Sequence, residues 1–448
     1  MEFKLYQDFV LSTFNISLKL KNYLCLLQIL LIMKKVLFFF LIAISSVGLS
    51  QETINTMFYN LARFPSGAPA NRELILTEIL DEYEPDLFMV CELETEIGAN
   101  LILNISLSNQ QSSFAKAVFQ ANSSSETDFL QNLVFYNTDK FVLLNQEIHQ
   151  TAYRDINQYS FKLNTTESDS YPIYLEVFVA HLKSSTGTAN QQARLAMVEV
   201  FTNALESITN PNTYVLFAGD FNFYTASEPG YQKILSPDNA FKMLDPINAP
   251  GSWHDNANFQ YTHTQCTRVS NAGFGIGTAS GGMDDRFDFI MMSENFSTSS
   301  EFYYVENTYK AYGNNGNCLD KNINDESCSG DFSSELRDNL YWMSDHTPVI
   351  MQFEITQTFL SKPVFEKKPL VWFMSSNHSY DYIELGINIQ KVSPETKNIY
   401  IYNLLGQKVQ TIPVNNNSYI KLNISGFSNG LYLIRMDNNA EVLKFLKK

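Results

Sequence analysis

The sequence predicts an α/β (α+β) protein rich in strands, followed by a small all-β domain, and three observations support this. The 448 residues include 34 Phe and 24 Tyr, and aromatic residues favour strands over helical bundles. Up to residue 355, short apolar runs typical of strands alternate with amphipathic helical segments. Beyond residue 375, short alternating strands are separated by turn residues. The chain is long enough for one large and one small domain.

The charge balance is acidic, with 31 basic and 47 acidic residues and a net charge of −16. Residues 1–50 contain five basic and two acidic residues, which leaves 26 basic against 45 acidic residues, a net charge of −19. An acidic protein repels a polyanion at long range. This argues against strong passive binding to nucleic acid unless a metal or a local basic patch supplies attraction.

Residues 33–50 are predicted to be a secretory signal peptide. Two lysines precede an apolar run over residues 36–44, and small residues follow it where a signal peptidase would cut. The run is too short to span a membrane. The mature chain is therefore expected to begin at Gln51. Residues 1–32 are interpreted as a misassigned upstream start, and the alternative is one unusually long leader.

Four cysteines follow this leader. Export permits disulfides, and Cys318 and Cys328 close a short polar segment, so we predict that these two pair. A bridge there would stabilise the fold by roughly 3 kcal/mol through loop entropy. Cys91 and Cys266 lie in apolar or alternating runs and are equally consistent with buried thiols.

The first strand is predicted at Ile54–Asn60, where alternating residues end on a polar amide. A helix follows, because apolar residues recur at i, i+3, i+4 and i+7 from Leu76. The next apolar run, Leu87–Cys91, is predicted to be a strand buried on both faces, and it ends in Glu92. A carboxylate there is costly unless it is paired or binds a metal. A solvated residue at the strand end is the alternative.

Two strands at Leu133–Asn137 and Phe141–Leu144 are predicted to form a hairpin. A further strand over Tyr171–Ala180 ends in His181. This histidine stands at the same kind of strand exit as Glu92, which suggests that both belong to one polar edge. The alternative for the histidine is a surface or capping role.

A helix is predicted over Gln191–Ile208, capped by Thr188 or Asn190, with one apolar stripe that packs against a sheet. Arg194 lies on its first turn and either faces the polar edge or is exposed.

The strand Tyr214–Ala218 leads into Gly219-Asp220-Phe221-Asn222. In extended backbone, side chains at i and i+2 point the same way. Asp220 and Asn222 are therefore expected to lie side by side and face one ligand.

Asp288 stands within an apolar strand that is predicted to begin at Arg286, and a carboxylate in that setting needs a partner. His346 is the candidate partner. It belongs to the triplet Ser344-Asp345-His346, which precedes a strand over Val349–Phe353. A carboxylate beside an imidazole at a strand edge can bind a metal and move a proton.

Six motifs in this order resemble the endonuclease/exonuclease/phosphatase superfamily, which includes deoxyribonuclease I, exonuclease III-type repair enzymes, neutral sphingomyelinases, inositol polyphosphate 5-phosphatases and deadenylases. The resemblance covers roughly residues 52 to 355. It implies a four-layer sandwich of two mainly antiparallel sheets flanked by helices, with the site at one sheet edge. The motifs are Phe58-Tyr59-Asn60, Pro85-Asp86 through Glu92, Val179-Ala180-His181-Leu182, Gly219-Asp220-Phe221-Asn222, Arg286-Phe287-Asp288-Phe289-Ile290 and Ser344-Asp345-His346.

The resemblance also implies roles for the matching residues. Asn60, Glu92 and Asp345 would hold Mg²⁺ or Mn²⁺, with Ca²⁺ as a third option, because these cations prefer hard oxygen ligands. Asp288 would orient His346, the general base or acid of phosphodiester hydrolysis.

By the same resemblance, Asp220 would position the attacking water, while Asn222 and His181 would stabilise charge on the phosphoryl oxygens. Two positions depart from the family pattern. Cys91 stands where the family more often has Gln. Asp284-Asp285 before Arg286 is unusually acidic and is either an extra cation site or a solvated pair.

The tail beyond a linker at 356–375 is predicted to be a small β-sandwich over 376–448. Its motifs Ile401-Tyr402-Asn403-Leu404-Leu405-Gly406-Gln407-Lys408-Val409, Gly430-Leu431-Tyr432 and Lys444-Phe445-Leu446-Lys447-Lys448 resemble the C-terminal sorting domain of the type IX secretion system of Bacteroidetes. The resemblance implies export across the outer membrane and removal of the domain on the way. The alternative is a carbohydrate-binding or adhesion module.

The resulting hypothesis is a secreted metal-dependent phosphodiesterase at residues 51–355, an extracellular nuclease acting on DNA or RNA as a monomer. One alternative is a sphingomyelinase-type phospholipase C or another phosphatase of the same fold, favoured by the shortage of basic residues. The other is a non-catalytic surface binding protein.

Overall fold

The computed structural model describes residues 51–448 except 110–112, 124–129, 211, 276 and 361–369, together with residues 20, 21, 23, 27, 28 and 30–35 of the leader. Residues 1–50 and 51–448 form two separate units. The described leader residues are helical and exposed. The signal peptide predicted at 33–50 lies almost wholly outside the described residues. Among the residues described, no helix is long and apolar enough to cross a membrane.

Two sheets occupy the described part of residues 52–355. In chain order their strands are β1 Glu52–Phe64, β2 Leu87–Leu93, β3 Phe114–Lys116, β4 Gln131–Asn137, β5 Phe141–His149, β6 Ile156–Leu163, β7 Tyr174–His181, β8 Thr213–Asp220, β9 Met243–Leu244, β10 Asp288–Ser293, β11 Phe302–Tyr304, β12 Lys310–Ala311 and β13 Val349–Ile355.

The first sheet has the order β11-β13-β1-β2-β4-β3, with β12 also paired to β13, and the second has the order β5-β6-β7-β8-β10-β9. Within each sheet one central pair is parallel, β1 with β2 and β7 with β8, and the remaining pairs are antiparallel. Each sheet therefore brings the C-terminal ends of two parallel strands to one edge.

Helices cover the outer faces of the two sheets. They are α1 Arg72–Tyr83, α2 Glu96–Leu101, α3 Thr188–Leu205, α4 Pro229–Ile234, α5 Asn295–Thr298 and α6 Ser334–Met343, with a π-helical turn at Ile102–Ser106 and a 3₁₀ turn at Ala257–Thr262. The second sheet shows the layering directly. On β7, Val177 and Val179 pack into the core between the sheets, while Phe178 and Ala180 pack with Phe201 of α3. The predicted four-layer arrangement is confirmed.

The hairpin predicted around residues 138–140 is wrong. Strand β4 pairs with β2 and β3 in the first sheet, whereas β5 pairs with β6 in the second. Strand β4 is almost entirely buried, while β5 is an edge strand with one exposed face. The turn residues between β4 and β5 predict a reversal of the chain. They do not determine whether β5 pairs with β4 or joins the other sheet.

The helix predicted from Gln191 begins earlier, at Thr188, and ends earlier, at Leu205. Neither predicted cap is used, because the residue before the helix is Gly187 and no side chain caps it. Arg194 is buried and forms an ion pair of 2.8 Å with Glu228. Both alternatives stated for this arginine, an exposed residue and a residue of the polar edge, are replaced by this internal pair.

The C-terminal domain consists of two facing sheets, as the alternating pattern predicts. Strands β14, β16 and β19 form one sheet, and β15, β21, β20, β17 and β18 form the other. Their bounds are β14 Trp372–Met374, β15 His378–Ser379, β16 Tyr382–Ile387, β17 Asn398–Asn403, β18 Lys408–Pro413, β19 Tyr419–Asn423, β20 Gly430–Met436 and β21 Val442–Lys447. Strand β14 falls within the linker predicted at 356–375.

The C-terminal domain contacts the larger domain beside the start of α1. The Asn71 amide donates to the backbone oxygen of Asn416 at 2.8 Å and accepts from the backbone N–H of Ser418 at 2.9 Å. Phe373 and Tyr419 pack against the core of the larger domain.

The predicted disulfide is present between Cys318 and Cys328, ten residues apart. Cys91 and Cys266 are buried free thiols. The interpretation of these two cysteines as buried thiols is therefore the one that the structure supports.

Candidate active site

The register of the second sheet places three predicted site residues in one row. His181, the last residue of β7, is the parallel partner of Asp220, the last residue of β8. Asp220 is also the antiparallel partner of Asp288, the first residue of β10. Because β10 runs the other way, its beginning lies at the edge where β7 and β8 end. Chain direction and register therefore assemble this row without a long loop.

The first sheet supplies the facing half of the site. Asn60 of β1 is the partner of Cys91 on the parallel strand β2, so Glu92 follows at the same edge. Ser344 lies just before β13, and its hydroxyl donates to the backbone oxygen of Asn60 at 2.6 Å. This bond ties the Ser344-Asp345-His346 triplet to the end of β1 where Asn60 lies.

His346 and Asp288 form the predicted pair across the two sheets. Nδ1 of the imidazole lies 2.7 Å from Asp288 Oδ2, and both side chains are buried. The Asp288 backbone N–H donates to Thr264 Oγ1 at 3.1 Å. With Nδ1 held in this way, Nε2 is the nitrogen that faces the remaining site, 3.7 Å from Asp220 Oδ2.

The Asn60 amide lies between the two sheets. Its Nδ2 donates to Glu92 Oε1 at 3.1 Å and to Asp220 Oδ2 at 3.0 Å, and it lies 3.3 Å from His346 Nε2. Its Oδ1 accepts from the backbone N–H of Ala62 at 3.0 Å. In this arrangement the neutral amide donates hydrogen bonds to two carboxylates. Coordination of a cation by Oδ1 would require the amide to turn over.

Asp220 and Asn222 lie side by side, as the i, i+2 spacing predicts. Asn222 Nδ2 donates to Asp220 Oδ1 at 2.7 Å. His181 approaches the same carboxylate, with Nε2 3.4 Å from Asp220 Oδ2, and its Nδ1 lies 3.9 Å from Glu92 Oε1. The Asp220 carboxylate thus lies beside two amides, those of Asn60 and Asn222, and two imidazoles, those of His181 and His346.

The backbone at two of these positions is left-handed, with φ of 55° at Glu92 and 54° at Asn222. Residues other than glycine adopt this conformation at a cost, and such outliers concentrate at functional sites. Glu92 is the second-last residue of β2, and Asn222 lies two residues after the end of β8. Strand alternation alone does not predict this.

The carboxylates are crowded and poorly solvated. Burial and the charge of Asp345 raise the pKa of Glu92. Burial, with Asp288 and Glu92 nearby, raises the pKa of Asp220 to about 8. Clustered acids of this kind favour a bound proton or a bound cation, since either relieves the repulsion.

The two histidines differ in charge because their neighbours differ. Burial opposes charge on His346, but the carboxylates of Asp288 and Asp220 outweigh it and raise its pKa to about 10. Burial, together with Arg154 and His346, holds the pKa of His181 well below its usual value. His346 is therefore the charged imidazole and His181 the neutral one.

The donor set suits a divalent cation. One oxygen or nitrogen each from Glu92, His181 and Asp220 lie within 4.8 Å of one another, and the same holds for Asp220, Asp288 and His346. The carboxylate oxygens are the ligands that Mg²⁺, Mn²⁺ and Ca²⁺ prefer. Asp345 lies outside both groups, and its Oδ2 accepts from the Ala279 backbone N–H at 2.7 Å.

Two residues near the site were not predicted. Arg154 is buried and donates to the backbone oxygens of His181 and Leu182. Gln265 Nε2 lies 2.6 Å from His346 Nε2. Neither belongs to a strand-end motif, and only the folded chain brings them to the site.

The acidic pair Asp284-Asp285 lies beside His254, whose Nδ1 is 2.9 Å from Asp285 Oδ1. One ligand atom from each of these three residues falls within 4.8 Å of the others. Asp285 is buried and Asp284 is half-buried, which excludes the interpretation as a fully solvated pair. The extra cation site stays a prediction.

Comparison with known families decides the nature of the C-terminal domain. Residues 379–448 match the model of the secretion system C-terminal sorting domain. The sorting domain includes strands β15 to β21. The match agrees with the resemblance in the sequence, and it indicates export of the chain. No curated protein matches the sequence.

Several solved structures have partial similarity to the larger domain. The catalytic domain of human Nocturnin with bound sulfate is 16% identical, covers 68% of this chain and 97% of its own, and has a TM-score of 0.42. TDP2 of D. rerio with a single-strand DNA product is 16% identical, covers 67% of this chain and 99% of its own, and has a TM-score of 0.42. An endonuclease/exonuclease/phosphatase from Bacteroides vulgatus is 13% identical, covers 68% of this chain and 99% of its own, and has a TM-score of 0.43.

Proposed function

We propose that the chain is a secreted, divalent-metal-dependent phosphodiester hydrolase whose substrate is extracellular DNA or RNA. The proposal rests on one observation: Asn60, Glu92, His181, Asp220 and His346 meet where the corresponding edges of the two sheets face each other. These residue types, in this chain order, match the motifs that the sequence shares with phosphodiesterases of the endonuclease/exonuclease/phosphatase superfamily.

Glu92 and Asp345, with Asn60 after its amide turns over, would hold Mg²⁺ or Mn²⁺, or Ca²⁺ as a third option. Asp345 is the nearby charge that contributes most to the raised pKa of Glu92, so the two carboxylates lie close enough to repel. A bound cation would supply Lewis-acid stabilisation of charge on the phosphoryl oxygens and the leaving group.

His346 would move the proton. Asp288 holds Nδ1, so Nε2 is the atom that exchanges a proton with water or with the leaving group. Asp220 Oδ2 lies 3.7 Å from Nε2 and would position the attacking water beside it. The aspartate partner fixes the tautomer and stabilises the imidazolium, as in other carboxylate–histidine pairs.

His181 and Asn222 would stabilise the developing charge on the phosphate. Both are neutral donors beside Asp220, and a neutral donor contributes a hydrogen bond without repelling the cation. The lowered pKa of His181 keeps it neutral at physiological pH.

A second candidate substrate is a membrane phosphodiester such as sphingomyelin. The acidic net charge of −16 disfavours a polyanion. Trp342 is 41% exposed and Val269 is 48% exposed. Trp342 contacts the Phe274 ring, and Arg268, which precedes Val269, stacks on that same ring. Trp342 lies three residues before Asp345, and the backbone N–H of Thr267, two residues before Val269, donates to the backbone oxygen of Asp345 at 3.0 Å. These exposed apolar residues could meet a lipid surface.

The sorting domain supports the assignment of localisation. We propose that it is read by the type IX secretion machinery and that the hydrolase is released outside the cell or held at its surface. Secretion would place the enzyme where nucleic acid is available as a nutrient.

The test is hydrolysis of plasmid DNA, RNA and sphingomyelin vesicles by residues 51–448 with Mg²⁺, Mn²⁺, Ca²⁺ or chelator. His346→Ala is the inactive variant. His378→Ala is the matched control, because this histidine is exposed and lies in the C-terminal domain. Chelator-sensitive cleavage of nucleic acid that only His346→Ala abolishes supports the proposal.

Two other results contradict it. Cleavage of sphingomyelin alone would assign the chain to the phospholipase C group. No turnover of any substrate, with ligand binding that survives His346→Ala, would make the domain a binding module on a catalytic fold.

A nuclease should also lose activity steeply as salt rises, because phosphate contacts release counterions.

A further inference from the structure

Arg72 is the first residue of α1, and its side chain is 2% exposed. Its guanidinium donates only to backbone carbonyl oxygens. Nη1 donates to Ala62 at 3.1 Å and to Ser66 at 2.6 Å, Nη2 donates to Leu61 at 2.5 Å and to Met343, and Nε donates to Met343 at 3.0 Å. In the part of the chain that the structure describes, no carboxylate lies within ion-pair distance of it.

These carbonyls belong to the two segments that carry the proposed metal ligands of the first sheet. Leu61 directly follows Asn60, and Met343 precedes Asp345 by two residues. Asn60 and Asp345 are 285 residues apart in sequence. Strands β1 and β13 pair only as far as Phe58 and Val349. Beyond that point, two side chains link the segments: Arg72 donates to carbonyls of both, and the Ser344 hydroxyl donates to the Asn60 carbonyl.

The carbonyls of Leu61 and Ala62 need such a partner because β1 is irregular there. Ala62 and Arg63 have φ of 46° and 57°, and the β1–β2 ladder shifts register between Asn60 and Phe64. Buried carbonyls without a ladder partner are costly unless another donor reaches them. A planar guanidinium offers five donors in a fixed fork, which a lysine ammonium cannot reproduce.

The charge of Arg72 also acts on the site. Burial lowers the pKa of Arg72 to about 10, so the guanidinium stays charged at neutral pH. The negative charges of Asp345 and Glu92 act in the opposite direction and raise this pKa. The guanidinium thus lies within the electrostatic reach of both carboxylates while its hydrogen bonds are used on the backbone. It attracts these two acids without occupying the oxygens that a cation would need.

We propose that Arg72 is a positioning residue that holds the Asn60 and Asp345 segments at the separation a divalent cation requires. The inference rests on the proposed function, because it assigns the metal ligands to those two segments. It identifies a residue outside the site whose effect is on cation affinity and, through it, on turnover.

The test compares Arg72→Lys with Arg337→Lys. Arg337 is also buried and also donates to two backbone oxygens, those of Ile323 and Asp325, but it supports the disulfide-bonded loop. Both variants keep the charge and lose the fork. The readouts are Mn²⁺ binding by calorimetry, the rise in Tm on addition of Mn²⁺, and kcat and KM on the substrate that the wild type cleaves.

For Arg72→Lys we expect Mn²⁺ affinity and kcat to fall by about 10- to 100-fold, as for other residues that orient metal ligands, with KM little changed. Arg337→Lys should lower Tm but bind Mn²⁺ like the wild type. The proposal is overturned if folded Arg72→Lys binds Mn²⁺ with wild-type affinity, or if Arg337→Lys loses the same affinity.

If Arg72→Lys does not fold, Arg72→Gln, which keeps an amide NH2 group with two N–H donors but loses the charge, replaces it under the same criteria. Failure of both variants to fold beside a folded Arg337→Lys overturns the proposal, because Arg72 is then required by the fold. A wild-type protein that binds no Mn²⁺ and hydrolyses nothing overturns the proposed function itself. An active wild type whose Arg72 variants bind Mn²⁺ with unchanged affinity overturns only the role of Arg72, so the two failures can be told apart.

Discussion

His346 Nδ1 lies 2.7 Å from Asp288 Oδ2, although the two residues are 58 positions apart and come from different sheets. The contact links β10 of the second sheet to the residue three positions before β13 of the first. The pair to which we assign the proton transfer is therefore built across the interface between the sheets. Its geometry depends on how the sheets pack.

Replacing either member of this pair should reduce hydrolysis strongly. We expect His346→Ala to lower kcat by about 100- to 10,000-fold, the usual contribution of a general acid or base. Asp288→Asn should give a loss of similar order, because an amide can stabilise the wrong tautomer and does not stabilise the imidazolium. The double variant should be little worse than either single one. Additive losses in kcat would show that the two residues act independently.

The metal-free protein should become less stable as pH rises. The pKa of His346 is raised from 6.5 to about 10 and that of Asp220 from 3.8 to about 8, so the folded state binds more protons than the unfolded state between these limits. The stability that the proton on His346 contributes is complete below about pH 6.5 and is lost as pH rises through about 10. Urea unfolding in chelator at about pH 6.5, 8 and 9.5 measures this.

A divalent cation should oppose that trend, because it binds the deprotonated carboxylates and displaces protons. His346→Ala, which removes one of the titrating groups, should flatten the decline in chelator. A free energy of unfolding that increases from about pH 6.5 to 9.5 in the chelated wild type would contradict the assignment of charge to His346.

The disulfide should contribute measurably to stability. Cys318 and Cys328 enclose ten residue steps, for which loop entropy predicts roughly 3 kcal/mol. We expect the double variant Cys318→Ser/Cys328→Ser to show a loss of this size in the free energy of unfolding by guanidinium. Reduced wild type should match the variant, whereas the reductant should leave the variant itself unchanged.

The buried pair Arg194–Glu228 should be sensitive to loss of one partner. Arg194 also donates to the backbone oxygens of Lys183 and Ser185, and Glu228 accepts from the Tyr224 backbone N–H. Glu228→Gln should cost about 3–5 kcal/mol, because it leaves a buried cation uncompensated. Chemical denaturation measures the cost, with the exposed pair Lys242–Glu294 as the control, for which Glu294→Gln should cost less than about 1 kcal/mol.

The sequence allowed the strands and their polar ends to be predicted because both depend on local patterns. Buried strands such as β8 appear as continuous apolar runs, and a charged residue at the end of such a run stands out, as Asp220 does. The pair of Asp288 with His346 followed from the cost of an unpaired buried carboxylate.

Other features depend on contacts that no local pattern encodes. The crossing of the chain from β4 to β5 is decided by which sheet each strand can bury, not by the turn. Arg194 sits on an amphipathic helix in a position that resembles a solvated one, and its partner Glu228 is 34 residues away. Arg72 and Gln265 act on the site through atoms whose positions require the whole fold.

The pairing of the first strand with the last has a consequence for when activity can arise. Glu52 is the partner of Ile355, so β1 cannot complete its sheet until the chain has been made and delivered through residue 355. A chain that stops short of β13 also lacks Asp345 and His346, or holds them without a strand to fix them. A partly translated or partly translocated chain therefore lacks the complete site, so the proposed hydrolase would become active only after residue 355 has been made and delivered.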